Sequence, residues 1–162
     1  MQTTLSNHPR SNKPGNWHER VIDFAVYSHI LLFFYTAFSK LITYPSFLKV
    51  LSDLPVIGEW HELIALTVIF SEILFGLLLI FPASRIRGLW CSLSLMILFT
   101  LYLSYHIAVK SKLPCSCGGV ISGLSWPQHV IFNIGFILLG FAGILADKKL
   151  RAINKIFSRG SR

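Results

Sequence analysis

Charge is what this sequence has least of. Only 14% of its 162 residues are Asp, Glu, Lys or Arg, where a soluble domain carries about a quarter. With 53% hydrophobic residues and a mean hydropathy of +0.60, a surface built from this composition is poorly solvated by water. That excludes an ordinary soluble domain. Acidic residues are the scarcer sign, 7 against 15 basic ones. Methionine occurs twice, at Met1 and Met96, which leaves no methionine-rich loop to handle copper. Cysteine occurs three times, so a closed four-ligand zinc site would need histidines as well. No internal repeat and no low-complexity tract interrupts the chain.

In place of charge there are long apolar runs. Four segments, about residues 21–41, 63–81, 89–109 and 127–146, are apolar over nearly their whole length and bounded by charge, proline or glycine. Each has the roughly 20 residues needed to cross about 30 Å of hydrocarbon as a helix. Backbone groups in lipid must be satisfied within the segment, so helices are expected there. The fold class that follows is all-α: a polytopic four-helix membrane bundle occupying residues 20–147, with no separate soluble domain. The polar stretch before the first span is too long for a signal-peptide n-region, and no small-residue cleavage site follows the span. The first helix is therefore expected to remain as an anchor. Residues 1–19 read as a disordered tail and residues 148–162 as a basic one.

The net charge of +8 is unevenly spread. Arg10, Lys13, Arg20, Arg85, Arg87, Lys148, Lys149, Arg151, Lys155, Arg159 and Arg162 fall on one side of the four spans. Only Lys40, Lys49, Lys110 and Lys112 fall on the other. The positive-inside rule then places both termini in the cytoplasm and the first and third connections outside. The basic excess reads as topology and contact with anionic lipid, and nucleic-acid binding is not expected. The tail "DKKLRAINKIFSRGSR" reads as a short amphipathic helix lying on the inner leaflet.

On the outer side lies "LPCSCGGVISGLSWPQH", residues 113–129, with Cys115 and Cys117 one residue apart. Disulfides form and persist in that compartment. A bond between these two closes almost no loop, so as a staple it stabilises little. As a soft-metal site the pair would need further ligands from His61, His106 or His129. As a redox couple it requires a bent backbone that stores strain, and strained, exposed disulfides are the more oxidising ones. Gly118 and Gly119 supply the freedom for that bend. The redox reading fits best. Ser125 with Gln128 has the spacing of a capping box, and Pro127 suits a first helical turn. Cys91 falls at the opposite end of the third span and reads as a small buried hydrophobe.

Polar residues inside the spans are costly and are read as functional candidates. Glu72 lies midway along the second span, either as a carboxyl bonded to a neighbouring helix or as a proton-handling group. His29 lies within the first span and Asn133 one turn into the fourth, both in keeping with helix-to-helix hydrogen bonding. Lys40, His106 and His129 gather near the outer face. Lys40 can snorkel to the interface, or its charge can favour a nearby thiolate. The histidines can do the same or carry protons. The stretch "TYPSFLKVLSDLPVIGEW" contains a proline-started amphipathic segment, expected as a short interfacial helix or lid.

Two stretches, "AFSKLITYPSFLKVL" and "SEILFGLLLIFP", resemble the first two helices of DoxX-like membrane proteins. "PCSCGG" and "SWPQHVIFNIGFILL" narrow the resemblance to the MauE branch, over residues 20–146. The resemblance implies a DoxX-like bundle in a bacterial inner membrane, acting with a periplasmic thioredoxin-like partner on disulfides of exported proteins. It also implies that Cys115 and Cys117 are the thiol pair, with Lys40 and Glu72 at the family's polar helix positions. Electrons leaving the pair need an acceptor. A quinone held near His29, Glu72 or Asn133 would serve, although no quinone motif is present in the sequence. The alternative from another class is a membrane scaffold or soft-metal-handling protein that uses the cysteines as ligands or as a loop brace.

Overall fold

The computed structural model describes residues 16–52, 58–108 and 126–160. Helix α1 runs Asn16–Ile42 and α2 runs Tyr44–Ser52. A short 3₁₀ turn at Gly58–Trp60 leads into α3 (His61–Ile80), followed by α4 (Arg85–Ala108) and α5 (Trp126–Gly160). Among the described residues, α1, α3, α4 and α5 are the four helices long and apolar enough to cross a membrane. The protein is a multi-pass membrane protein.

α1 packs against α3 and α5, and α4 packs against the same two, while α1 and α4 touch only lightly across the diagonal. The register shows every neighbouring pair to be antiparallel. Gly140 of α5 faces His29 and Leu93, whereas Gly143 one turn on faces Ala25 and Leu89. The bundle therefore goes up, down, up and down. Its core is layered. Ile22, Val26, Leu79, Leu89, Leu93 and Ile144 fill the end nearest the α3–α4 turn. Leu32, Phe33 and Met96 fill the middle. At the far end, Leu51 of α2 and Ala65 of α3 pack with Phe47, Ile64 and Tyr102.

Large apolar side chains such as Leu31, Phe70 and Leu138 are well exposed around the outside. In water that surface would be unfavourable by about 25 cal/mol per Å²; lipid is the solvent that suits it. The α3–α4 turn brings the start of α4 close to the backbone at the end of α3. A Cβ at Gly88 would lie 3.0 Å from backbone atoms of Leu78 and Leu79.

Two boundaries differ from the sequence expectation. α1 begins at Asn16, inside the stretch read as a disordered tail, with Glu19 in its first turn where a carboxylate complements the helix dipole. The basic C-terminal stretch does not form a separate helix lying on the leaflet. α5 continues without a break to Gly160. No glycine or proline interrupts residues 144–159, and Leu150 packs onto the core layer of Ile22 and Val26. Arg151 bonds Asp147 across one turn at 2.8 Å. Leu150 carries the packing one turn past Ala146, and residues 151–159 continue the helix with largely exposed side chains. α2 forms where the proline-started segment was expected, with Val50 and Leu51 buried.

Candidate functional site

α1 presents a polar face in a single row. His29, Thr36 and Lys40 are spaced at 7 and 4 residues, so they lie along one side of the helix. At the far end of this row Lys40 Nζ donates to Glu72 Oε1 of α3 at 2.6 Å. Helix geometry accounts for the meeting. Side chains lean toward the N-terminus of their own helix, so in antiparallel neighbours Lys40 leans down into the bundle and Glu72 leans up to meet it. Only 16% of the Lys40 side chain and 4% of the Glu72 side chain are exposed.

The pair is closed in on its other sides. The Phe47 ring of α2 lies 5.8 Å from the Lys40 ammonium, within cation–π range. Thr36 stands beside Glu72, but its one hydroxyl proton goes to the Phe33 carbonyl at 3.1 Å. Glu72 Oε2 is left buried without a donor. This bears on Lys40 directly. Its ammonium turns to Glu72 rather than outward to the interface. What the arrangement does chemically is join α1 to α3 beneath α2 through two opposite charges shielded from water.

His29 lies deeper and is fully buried. Its Nδ1–H donates to the Ala25 carbonyl at 2.7 Å, which makes Nε2 the lone-pair nitrogen; Nε2 has no partner. The ring stacks on Phe33 and meets the edge of Phe136. A Cβ on Gly140 would come within 3.2 Å of Nε2, so no space for a ring-shaped ligand lies between them. Asn133 is half-buried on α5, His129 half-buried in the first turn of α5, and His106 falls in the last turn of α4.

One cavity among the described residues lies between α1, α3 and the start of α4, and another on α3 and α4 beside Cys91. Neither is lined by His29, Glu72 or Asn133. Also among the described residues, no three His, Cys, Asp or Glu side chains gather as metal ligands. Cys91 carries a free, half-buried thiol.

Cys115 and Cys117 lie outside the described residues, as does Ser125 of the capping box. The connection that carries them leaves α4 at Ala108 and enters α5 at Trp126. By the antiparallel register both points are at the α2 end of the bundle, away from Arg85 and Arg87. Sequence reasoning named Lys40 and Glu72 separately but missed that they pair. It also missed the contact of Arg85 with Asp23 at 3.2 Å. In the first case the available signal was a base on one span and an acid on the next, and in the second an acid on the first span and a base at the start of the third.

No curated protein and no solved structure matches the chain. The family model described as methylamine utilisation protein MauE matches residues 19–146. That stretch includes α3 and α4 whole, most of α1 and the first part of α5, with the buried Lys40–Glu72 pair and the cysteine-bearing connection, and the chain belongs to the MauE family.

Proposed function

We propose that this protein is an integral membrane thiol–disulfide redox component of the bacterial inner membrane, with Cys115 and Cys117 as its working pair. The bundle is DoxX-like, with both termini cytoplasmic and the α2 end facing the periplasm. A thiolate of the pair attacks a disulfide of a thioredoxin-like partner to give a mixed disulfide. The second cysteine then displaces the partner as a dithiol, and the same exchange runs in reverse when the partner arrives reduced. Two electrons pass and no metal is required.

One observation carries the reading. The helices flanking the Cys115–Cys117 connection end at Ala108 and Trp126, on the side opposite the arginine-bearing turn and the basic tail, and the positive-inside rule makes that side extracytoplasmic. Membership of the MauE family supports a membrane role in methylamine utilisation. His106 and His129, on the turns that flank the connection, are assigned proton transfer to and from the thiols. Lys40 and Glu72 are assigned to holding α1 against α3 below it.

The test is differential alkylation in intact cells and spheroplasts. Cys115 and Cys117 should react with impermeant maleimide from outside and switch between reduced and oxidised with the growth oxidant, while Cys91 stays constant. Thiols that never change redox state, or that label only from the cytoplasmic side, would refute the proposal.

A further inference from the structure

At the arginine-bearing end of the bundle a cavity of about 410 Å³ opens between α1, the end of α3 and the start of α4. Its volume is within the range of small-molecule sites, roughly 300–1,000 Å³. Its walls are apolar, made by Val26, Ile30, Leu79 and Ile80. At its polar end stand Asp23 and Arg85, joined by one contact from Arg85 Nη1 to Asp23 Oδ1 at 3.2 Å. Asp23 is separated from Lys40 by 17 residues of α1, or about 26 Å along the axis. Arg85 is the first residue of its spanning segment and Asp23 lies near the start of α1, so this pair sits at the end of the bundle where lipid headgroups would meet it.

This second pair differs from the first in kind. Lys40–Glu72 is shielded, whereas the Arg85 and Asp23 side chains are 33% and 49% exposed. A half-exposed ion pair is a weak one, so it separates readily to receive other charges. It offers both signs side by side above an apolar cleft. The guanidinium presents a planar fork suited to a phosphate, and the carboxylate accepts hydrogen bonds from an ammonium. An amphiphile carrying both groups on one short headgroup matches this end of the cavity, with an acyl chain running down the walls. We propose that the cavity is a binding site for a zwitterionic aminophospholipid of the phosphatidylethanolamine type. Its phosphate accepts from Arg85, and its primary ammonium donates to Asp23.

The charge pattern excludes near relatives of that lipid. Phosphatidylglycerol would satisfy Arg85 but bring no cation for Asp23, leaving its phosphate charge uncompensated there. Phosphatidylcholine carries a cation with no N–H to donate.

The test is native mass spectrometry of the full-length protein, relipidated with an equimolar mixture of the three lipids bearing identical acyl chains. A hydrogen bond to a charged group is worth about 1.5–3 kcal/mol, so ethanolamine lipid should be retained about tenfold or more over the other two. Asp23→Asn should bring its retention down to the phosphatidylglycerol level, and Arg85→Gln should weaken both. On the unaltered protein, retention should fall stepwise as the ethanolamine nitrogen is methylated once, twice and three times. That series decides the matter even where a substitution impairs folding. Equal retention across the methylation series, or preference for phosphatidylglycerol, overturns the proposal.

Discussion

Removing Lys40 should cost more than neutralising Glu72, and the two losses should not add. In Lys40→Met the Glu72 carboxyl, 4% exposed, loses its one cationic partner while Oε2 already lacks a donor. Breaking a buried pair by deleting one member costs about 3–5 kcal/mol. In Glu72→Gln the amide carbonyl still accepts from Lys40, whose side chain reaches the surface at 16% exposure. The loss is then nearer the 1–3 kcal/mol of an imperfectly satisfied polar group. In Lys40→Met/Glu72→Gln no charge remains to strand, so the double variant should be at least about 1 kcal/mol more stable than the sum of the single losses predicts. The assay is reversible unfolding in mixed micelles, followed by circular dichroism, with all four forms measured at one pH. Additive losses, or a Lys40→Met loss below that of Glu72→Gln, would refute the claim that the pair is shielded and mutually dependent.

Two further expectations come from packing. Gly88→Ala pushes a methyl to 3.0 Å from the backbone of Leu78 and Leu79, and should lower stability by about 1–3 kcal/mol. Thermal unfolding in detergent measures it, and an unchanged melting temperature would mean that the α3–α4 turn is looser than described. If α5 stays straight beyond Ala146, spin labels introduced at Ile156 and Phe157, exposed at 71% and 67%, should be relaxed mainly by a water-soluble agent. Relaxation mainly by dissolved oxygen would put that segment in the bilayer.

Much of the architecture was legible in the sequence because lipid imposes a harsh local rule. A span must be helical, apolar and about 20 residues long, so α1, α3, α4 and α5 announce themselves by composition, and α2 by its proline-started amphipathic pattern. Lys40, Glu72 and His29 were also visible, since polar residues stand out in such runs. Their partners were not. Which face of α1 meets which face of α3 is set by how all four helices settle together, and no local pattern encodes it. The end of α5 went astray for a related reason: the tail's basic, amphipathic character is the same whether it lies on lipid or simply continues α5.

By itself, then, the sequence determined that this chain lives in a bilayer, crosses it four times and keeps its arginines to one end, because solvation of the backbone and of charge acts residue by residue. Only the tertiary structure decided that Lys40 spends its charge on Glu72, that His29 is walled in by Phe33, Phe136 and Gly140, and that Asp23 and Arg85 frame an open cleft. Those facts depend on distances between side chains on different helices. Close packing sets such distances for the whole bundle at once.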